Sequence, residues 1–277
     1  MNTLVIIPTY NECLTLEHAV AGVCEHAPDV DVLVVDDNSP DGTGKIADRL
    51  AESDSRVHVM HRSEKSGLGD AYIAGFQWAL DREYDLICEM DADGSHRAVD
   101  LPRLVQRAVA DPQPALVIGS RWIPGGSVVN WPLRRQLLSR AGNVYIRILL
   151  GMPVADATAG FRVYPAATLR GIDLGTIASH GYCFQTDMTW RVVRGGGQVV
   201  EVPITFVERD TGQSKMSGAI VRESLLRVTQ WGIAYRSTWL RRPLHKMAGW
   251  PHPWHRRPPA VLETKASEGA EGSERLI

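Results

Sequence analysis

Short apolar runs alternate with longer segments of helical periodicity along the first 120 residues. Each run has the length and flanking turn residues typical of a buried strand. The predicted strands cover Leu4–Pro8, Val32–Val35, Val57–His61, Leu86–Met90 and Ala115–Ser120. The helices predicted between and after them cover Leu14–Glu25, Thr43–Ala51, Gly69–Leu80 and Leu101–Ala110. This alternation predicts an α/β fold, with a mostly parallel sheet and helices on both of its faces.

The pattern is less regular in the second half of the chain. The elements predicted there are strands over Gly160–Tyr164 and Gln198–Phe206, and helices over Arg134–Leu150, Cys183–Gly196 and Ser224–Leu240. From Arg241 onward, proline, glycine and charged residues dominate. We therefore expect one domain over residues 1–240 and a tail over residues 241–277, which begins basic and tryptophan-containing and then becomes disordered.

Composition narrows the class of protein. The 277 residues are 44% hydrophobic and 22% charged, which is enough for one large α/β domain with its own core. A formal net charge of −2 argues against a general nucleic-acid binder. The four cysteines show no C-x-x-C spacing, which favours reduced thiols and a cytoplasmic protein. We expect neither a signal peptide nor a membrane span, since no apolar stretch approaches the ~20 residues that a span needs.

Polar residues follow the ends of the predicted strands. They are Tyr10 and Glu12 after the first strand, Asp36 and Asp37 after the second, Asp91, Asp93, Ser95 and His96 after the fourth, and Arg121 after the fifth. The carboxyl ends of parallel strands meet at one edge of a sheet, where ligands bind. Because adjacent carboxylates need a positive or hydrogen-bonding partner, we expect these residues to share one polar site.

The sequence "DAD" at residues 91–93 suggests a metal site. Two carboxylates spaced i and i+2 can share a hard cation such as Mg²⁺ or Mn²⁺, which keeps several waters and takes phosphate oxygens as further ligands. A solvated turn is the common alternative for an isolated D-x-D. The second acidic pair at a neighbouring strand end favours the metal.

Basic residues are present to bind phosphate oxygens. The candidates are Arg121, Arg134, Arg135, Arg209 and Lys215. Arginine binds phosphate through paired N–H groups, and lysine supplies a point charge. A solvated helix face is the alternative for "RR" at residues 134–135. The segment "FVERDTGQSKMS" carries Arg209 and Lys215 on what we expect to be a mobile loop, able to close over a diphosphate.

Several of these motifs together resemble family 2 inverting glycosyltransferases, and among them polyprenol (dolichol) phosphate mannose synthases. The similar segments are "IPTYNE", "VVDDNSPDGTG", "EMDADGSH", "IGSRW", "GGSVVNWPLRRQLLSR", "DATAGFRVY" and "FVERDTGQSKMS". Their order and spacing match from about Leu4 to Gly232. The resemblance implies a GT-A type nucleotide-diphospho-sugar transferase fold. It also implies transfer of mannose from GDP-mannose to a polyprenyl monophosphate, with inversion at the sugar.

The resemblance also implies roles for residues at each strand end. The expected nucleoside contacts are Pro8, Tyr10, Glu12, Val35 and Asp37, with Asp37 as hydrogen-bond acceptor. The expected diphosphate and metal contacts are Asp91, Ala92 and Asp93. Ser95 stands where many members have glutamine, and this shorter side chain reaches the metal less directly. The expected donor or acceptor phosphate contacts are Arg121, Arg135, Arg209 and Lys215.

The implied mechanism needs no strong general base, because the phosphate oxygen of the acceptor is already anionic near neutral pH. Catalysis then rests on alignment and charge stabilisation, which we assign to Asp93, Arg121, Arg135 and Lys215. Asp187 is either an orienting group or an ordinary polar residue of its helix. The open alternatives are a UDP-dependent glucosyl- or N-acetylglucosaminyltransferase and a non-catalytic nucleotide-sugar sensor.

A polyprenyl phosphate acceptor lies in a bilayer, so some attachment to the membrane is expected. No acidic residue occurs between Glu223 and Glu263, an interval that contains several arginines and four tryptophans. This composition, which also describes a solvated surface, suits the surface of an anionic leaflet. The helix predicted over Arg134–Leu150 carries leucines for the same interface. We expect peripheral attachment at the cytoplasmic face, with a separate membrane protein as partner.

Overall fold

A computed structural model describes residues 1–177, 182–208 and 225–234 of the chain. Its main sheet contains β1 (Thr3–Thr9), β2 (Val30–Asp36), β3 (Val57–His61), β4 (Leu86–Glu89), β5 (Leu116–Ser120), β7 (Arg162–Pro165) and β8 (Val199–Pro203). A separate pair is formed by β6 (Ser127–Val129) and β9 (Thr205–Val207).

The helices lie between these strands, largely where the sequence predicts them. They are α1 (Leu16–His26), α2 (Thr43–Ser53), α3 (Leu68–Asp81), α4 (Leu101–Ala108), α5 (Leu133–Leu150), α6 (Ala166–Arg170) and α7 (Tyr182–Arg194). Short 3₁₀ turns occur at Ala98–Asp100 and Leu174–Thr176. Residues 225–234 form a further helical segment, called here the 225–234 helix.

The strand order of the main sheet is β3-β2-β1-β4-β7-β5-β8. Neighbouring strands are parallel, except that β7 runs antiparallel to both β4 and β5. The predicted α/β class with a mostly parallel sheet is therefore confirmed. The orientation of β7 has a consequence for the site, because it places Arg162 directly opposite Glu89, at the end of β4.

Two hydrophobic clusters cover the two faces of the sheet. Leu4, Ile6 and Leu33 face one cluster, and the alternating residues Val5 and Ile7 face the other. This alternation is expected of strands whose successive side chains point to opposite faces. Helices therefore pack on both faces, as predicted, and the strand ends remain available for a site.

The second half departs from the prediction at one strand. Gln198–Phe206 was expected to be one strand, but the structure divides this segment into β8, which pairs with β5, and β9, which pairs with β6. Pro203 ends β8 because proline has no N–H for the ladder, and Ile204 turns into the core with 2% exposure. The chain then crosses to β6, a strand that the sequence analysis missed.

Candidate active site at the strand ends

Asp36 at the end of β2 is enclosed by hydrogen-bond donors. Its carboxylate accepts hydrogen bonds from the hydroxyl of Thr9 at 3.1 Å and from the Ser39 hydroxyl and N–H at 2.6 and 3.2 Å. The side chain of Asp36 is only 4% exposed. Asp36 therefore joins the ends of β1 and β2 to the turn that follows β2.

Asp37 has a different set of partners, all from the segment after β3. Arg62 donates to its carboxylate at 2.8 Å, and the backbone N–H groups of Ser66 and Gly67 also bond to it. Desolvation raises the pKa of Asp37, and the charge of Arg62 with these hydrogen bonds offsets only part of that effect. Sequence reasoning missed Arg62. The available signal is that Arg62 follows His61, which pairs with Asp36 in the register of β2 and β3.

The other residues expected to contact the nucleoside lie beside this acidic pair. Pro8 pairs with Val35 across β1 and β2. Val35 is fully buried, which leaves its backbone rather than its side chain for any ligand contact. The Lys65 ammonium lies 3.7 Å from the centre of the Tyr10 ring. Glu12 accepts a hydrogen bond from the Thr15 hydroxyl at 3.1 Å.

The acidic pair after β4 is held by its own turn. The N–H of Asp91 donates to Nδ1 of His96 at 3.0 Å, and the carboxylate of Asp93 accepts the N–H of Ser95 at 3.0 Å. His96 is buried and its ring stacks on Phe161, so it has a structural role in orienting this turn. The side chain of Asp91 is 35% exposed.

One glycine fits closely behind this turn. A Cβ at Gly160 would lie 3.3 Å from Cε1 of His96 and 3.6 Å from a carboxylate oxygen of Asp91. The first distance is tighter than an ordinary van der Waals contact, so a larger residue would displace the His96 ring. The segment 156–160 therefore forms the wall against which the acidic pair is placed.

The donor set at the end of β4 fits Mg²⁺ or Mn²⁺ that is shared with a ligand. Asp91 and Asp93 provide two carboxylates, and within the described ranges no group of three acidic, histidine or cysteine side chains could hold a metal ion. Mg²⁺ is commonly held by one or two carboxylates, with substrate phosphates and waters as the other ligands. The Ser95 hydroxyl is buried without a hydrogen-bond partner among the described residues, so it is available to a bound water.

A cavity of about 450 Å³ opens beside this pair. Its polar and charged lining includes Asp91, Asp93, Ser95, His96, Arg121 and Arg135. Its apolar lining includes Leu138 and Tyr145 of α5 and Leu225 and Val228 of the 225–234 helix. The residues expected at the nucleoside are not among the described lining residues, and they occupy the neighbouring ends of β1 and β2.

Arg121 is buried in the cavity wall by a bidentate ion pair. Its Nε and Nη2 donate to the two carboxylate oxygens of Asp156, each at 2.7 Å, and Nη2 also donates to the Thr158 hydroxyl at 3.0 Å. Desolvation acts to raise the pKa of Asp156, but the charge and hydrogen bonds of Arg121 have the larger, opposite effect. The pKa of Asp156 is therefore lowered overall. Asp156, which sequence reasoning missed, therefore remains ionised and fixes the guanidinium plane.

Arg135 is the more accessible of the two arginines in the cavity. It pairs with Glu208 and lies over the ring of Trp131, with 4.2 Å to the ring centre. Arg134 is exposed on α5 and does not line the cavity. Arg209 and Lys215, the other predicted phosphate contacts, lie outside the described residues.

Asp187 does not line the cavity that contains Asp91 and Asp93. It accepts a hydrogen bond from Nε of Arg191 at 2.9 Å on α7. Both residues border a second cavity, of about 470 Å³, together with Trp190 and Trp231. This i, i+4 ion pair agrees with both interpretations of Asp187, an orienting group and an ordinary polar residue of its helix.

The fold and the site together define the class, a GT-A type α/β glycosyltransferase. The model of the family described as "Glycosyl transferase family 2" matches residues 4–171. The chain therefore belongs to glycosyl transferase family 2. Within the described helices, none is both long and apolar enough to cross a bilayer.

Two relatives are similar over nearly their whole length. The undecaprenyl-phosphate mannosyltransferase of Micrococcus luteus is 56% identical over 242 residues, which cover 87% of this chain and 98% of that protein. The polyprenol monophosphomannose synthase of Mycolicibacterium smegmatis is 55% identical over 235 residues, which cover 84% of this chain and 88% of that protein.

Solved structures show the same fold at low sequence identity. Glucosyl-3-phosphoglycerate synthase from Mycobacterium tuberculosis aligns with a TM-score of 0.63 and 18% identity, covering 83% of this chain and 80% of that chain. A mannosyltransferase from Pyrobaculum calidifontis, solved with GDP-Man and Mn²⁺, aligns with a TM-score of 0.52 and 17% identity, covering 89% and 77%. These similarities confirm the expected GT-A fold.

Proposed function

We propose that this enzyme transfers mannose from GDP-mannose to a polyprenyl monophosphate, with inversion at the anomeric carbon. The observation that carries the proposal is the composition of the cavity. An acidic pair and two arginines line it together with apolar side chains of α5 and of the 225–234 helix, two helices that are joined by a hydrogen bond between Tyr145 and Thr229. A polyprenyl phosphate likewise combines a charged group with an apolar chain. The names of the two close relatives support this acceptor and the sugar.

The charged residues that line the cavity suit a reaction between two charged substrates. The acceptor phosphate oxygen attacks C1 of mannose, the bond from C1 to the diphosphate oxygen breaks, and GDP leaves from the opposite face. Arg135 is placed to orient the acceptor phosphate, since it lines the cavity and is only partly buried. Arg121 supplies directional N–H groups rather than net positive charge, because Asp156 balances it.

Asp91 and Asp93 would hold Mg²⁺ or Mn²⁺ together with the diphosphate. When bound, this ion neutralises the charge that develops on the leaving diphosphate. Lys215 and Arg209 are proposed to add positive charge around the same group. Asp37, Tyr10, Glu12, Pro8 and the backbone of Val35 are proposed to surround the nucleoside at the ends of β1 and β2.

We also propose peripheral attachment to the cytoplasmic face of the membrane, through α5. Apolar side chains of α5 are exposed beside the cavity, including Leu137 at 58%, Leu138 at 51% and Ile148 at 63%. An apolar helix face next to charged residues suits the boundary between headgroups and acyl chains. A membrane-protein partner, expected from the sequence, stays a prediction.

A donor panel tests the reaction. Purified enzyme is incubated with labelled GDP-mannose, UDP-glucose or UDP-N-acetylglucosamine and a polyprenyl phosphate in detergent, with Mg²⁺ or Mn²⁺. We expect label in the lipid fraction from GDP-mannose only, sensitive to mild acid. Label from a UDP-sugar instead would assign a different donor. Binding of a nucleotide sugar without any transfer would favour the sensor.

Flotation with anionic liposomes tests the attachment. The full-length Leu137→Gln/Ile148→Gln variant should float less than the wild type. A chain that ends after Leu240 separates the contribution of the tail from that of α5. Undiminished flotation of the double variant would contradict attachment through α5, and undiminished flotation of the shortened chain would exclude the tail as anchor.

A further inference from the structure

Arg162 on β7 is fully buried, and all three nitrogens of its guanidinium donate hydrogen bonds. Its Nε donates to the carbonyl of Ala159 at 2.6 Å, and its Nη2 donates to the carbonyl of Ala157 at 2.8 Å. Its Nη1 bonds to α7, at the Gln185 carbonyl and the Thr189 hydroxyl, both at 2.9 Å. Arg162 therefore ties the 156–160 segment to α7.

Burying a guanidinium in a protein core is unfavourable in free energy. Transfer of such a charge from water costs several kcal/mol, and a well-packed apolar group of similar size is often at least as stable. The nearest acidic side chain is Glu89, one oxygen of which lies 4.0 Å from Nε and accepts a hydrogen bond from Nε2 of Gln185 at 2.7 Å. Packing alone therefore does not account for an arginine at this position.

The segment held by Arg162 carries the residues that place Arg121. Asp156 and Thr158 bond to the guanidinium of Arg121, and Thr158 also lines the cavity. Two carbonyls of the same segment, at positions 157 and 159, are the ones that Arg162 binds. The two arginines are thus connected through one short segment.

We propose that Arg162 is a positioning residue, which acts by fixing the 156–160 segment so that Asp156 and Thr158 hold Arg121 at the cavity. Arg162 touches no substrate in this account. Its role depends on the fork of N–H groups, because a point charge cannot reach both carbonyls and α7 at once. The inference rests on the proposed function through the assay that measures transfer.

The test begins with Arg162→Lys in the full-length enzyme, which keeps the charge and removes the fork. We expect kcat to fall about 100-fold, the size of loss that a displacement of about 1 Å produces. The affinity for GDP with Mn²⁺ should fall less than kcat, since Arg162 reaches the acidic pair only through the contact of Gly160 with His96 and Asp91. Val163→Ala is the matched control, because it shortens a fully buried residue of the same strand that faces the opposite cluster. It should lower the melting temperature and leave kcat unchanged.

A double-mutant cycle with Arg121→Lys distinguishes positioning from general loss of structure. If Arg162 acts through Arg121, the Arg121→Lys enzyme should lose less than about 3-fold further activity when Arg162→Lys is added. Losses that multiply would overturn the inference, as would a folded Arg162→Lys enzyme with wild-type kcat. If Arg162→Lys does not fold, Thr189→Val, which removes one acceptor of Arg162 without a change in charge, takes its place, with an expected kcat loss of about 5-fold and the same non-additivity.

Failure of the proposed function would be seen separately. If the wild-type enzyme uses a UDP-sugar rather than GDP-mannose, the donor assignment is wrong, and the same cycle run with that donor still decides the role of Arg162. If the wild type transfers from GDP-mannose and the cycle is additive, the proposed function stands and the positioning role does not.

Discussion

Two buried strands of this protein end in paired aspartates, and the two ends are built differently. At the end of β2, Asp36 and Asp37 are 4% and 6% exposed, and they are surrounded by donors from three neighbouring segments. At the end of β4, Asp91 is 35% exposed, and both Asp91 and Asp93 line the cavity. Two acidic pairs at strand ends, one adjacent and one spaced i and i+2, are therefore an enclosed pair and a pair that faces space for a ligand.

The difference lies in what the neighbouring segments provide. The β2 pair forms an ion pair with Arg62 and accepts hydrogen bonds from the hydroxyl groups of Thr9 and Ser39. These contacts fix the turn after β2 and the segment after β3. At the β4 pair, the Asp91 carboxylate accepts a hydrogen bond from the Tyr72 hydroxyl at 3.4 Å, and the Asp93 carboxylate accepts the N–H of Ser95 in its own turn. We infer that carboxylates at a strand end can hold a metal and diphosphate when the adjacent strands leave a cavity beside them.

The largest effect is expected from Asp93→Asn, which keeps the shape of the side chain and its acceptor for the Ser95 N–H. If Asp93 holds the metal, kcat should fall about 1,000-fold, equivalent to about 4 kcal/mol of lost charge stabilisation. The melting temperature should stay near that of the wild type. The lipid transfer assay measures the loss, and activity within a few fold of wild type would contradict the role of the open pair.

Arg62→Met tests the enclosed pair by leaving Asp37 without its cation. We expect a loss of about 3 kcal/mol in the free energy of unfolding near pH 7, because one buried partner charge is removed. The pKa of Asp37, already raised by desolvation, should rise further. A carboxyl whose pKa is higher in the folded state costs stability when ionised, and this cost fades as the folded state binds the proton.

The stability deficit of Arg62→Met should therefore shrink as the pH is lowered from neutral toward the ordinary pKa of an aspartate, about 4. Urea unfolding at several pH values measures it. The control is Arg62→Met/Asp37→Asn, in which the neutral amide removes the titration and most of the pH dependence. A deficit of Arg62→Met that is constant over this range would show that Asp37 does not depend on Arg62.

Asp36→Ala should have a smaller effect on stability. It removes the acceptor for three donors, from Thr9 and Ser39, and leaves buried polar groups unpaired. We expect a loss of about 2 kcal/mol in the free energy of unfolding. Asp36→Asn, which keeps one acceptor oxygen, should lose about half as much. Chemical denaturation compares the two, and a fully stable Asp36→Ala would show that the pair is not a structural element.

The smallest effect is expected from Ser95→Ala. This substitution tests whether the Ser95 hydroxyl contributes to metal binding beside Asp91 and Asp93. The Ser95 hydroxyl has no hydrogen-bond partner within the described residues, so its removal should not lower the free energy of unfolding. If it orders a water on the metal, the Mn²⁺ concentration for half-maximal activity should rise about 10-fold. Unchanged metal dependence would place Ser95 outside the metal's surroundings.

Local patterns were sufficient for the elements of the first half. β3 begins and ends where the sequence predicts, at Val57 and His61, and α3 extends its prediction by one residue at each end. The direction of β7 and the pairing of β6 with β9 depend on contacts between distant segments. No short-range signal in the sequence encodes those contacts, so these features could not be predicted.

The candidate site also has features that could be predicted from the sequence and features that could not. Asp91, Asp93, Arg121 and Arg135 could be predicted to lie together. The first three follow predicted strands, whose ends meet at one edge of the sheet, and Arg135 lies in a motif of the family resemblance. Their partners could not, since Asp156 lies 35 residues from Arg121 and Glu208 lies 73 residues from Arg135. The residue types of the motifs indicated the candidate ligand-binding side chains. The side chains that position them, such as Asp156 and Glu208, are brought into contact only by the tertiary fold.

The contrast between the two acidic pairs is tested most directly by Mn²⁺ binding in the presence of GDP, followed by electron paramagnetic resonance. The wild-type enzyme is compared with Asp93→Asn, and folding of both is checked by circular dichroism. We predict that GDP strengthens Mn²⁺ binding to the wild type and that Asp93→Asn loses this binding while it remains folded. Equal Mn²⁺ affinity of the two proteins with GDP would contradict the assignment of the β4 pair as the metal and diphosphate site.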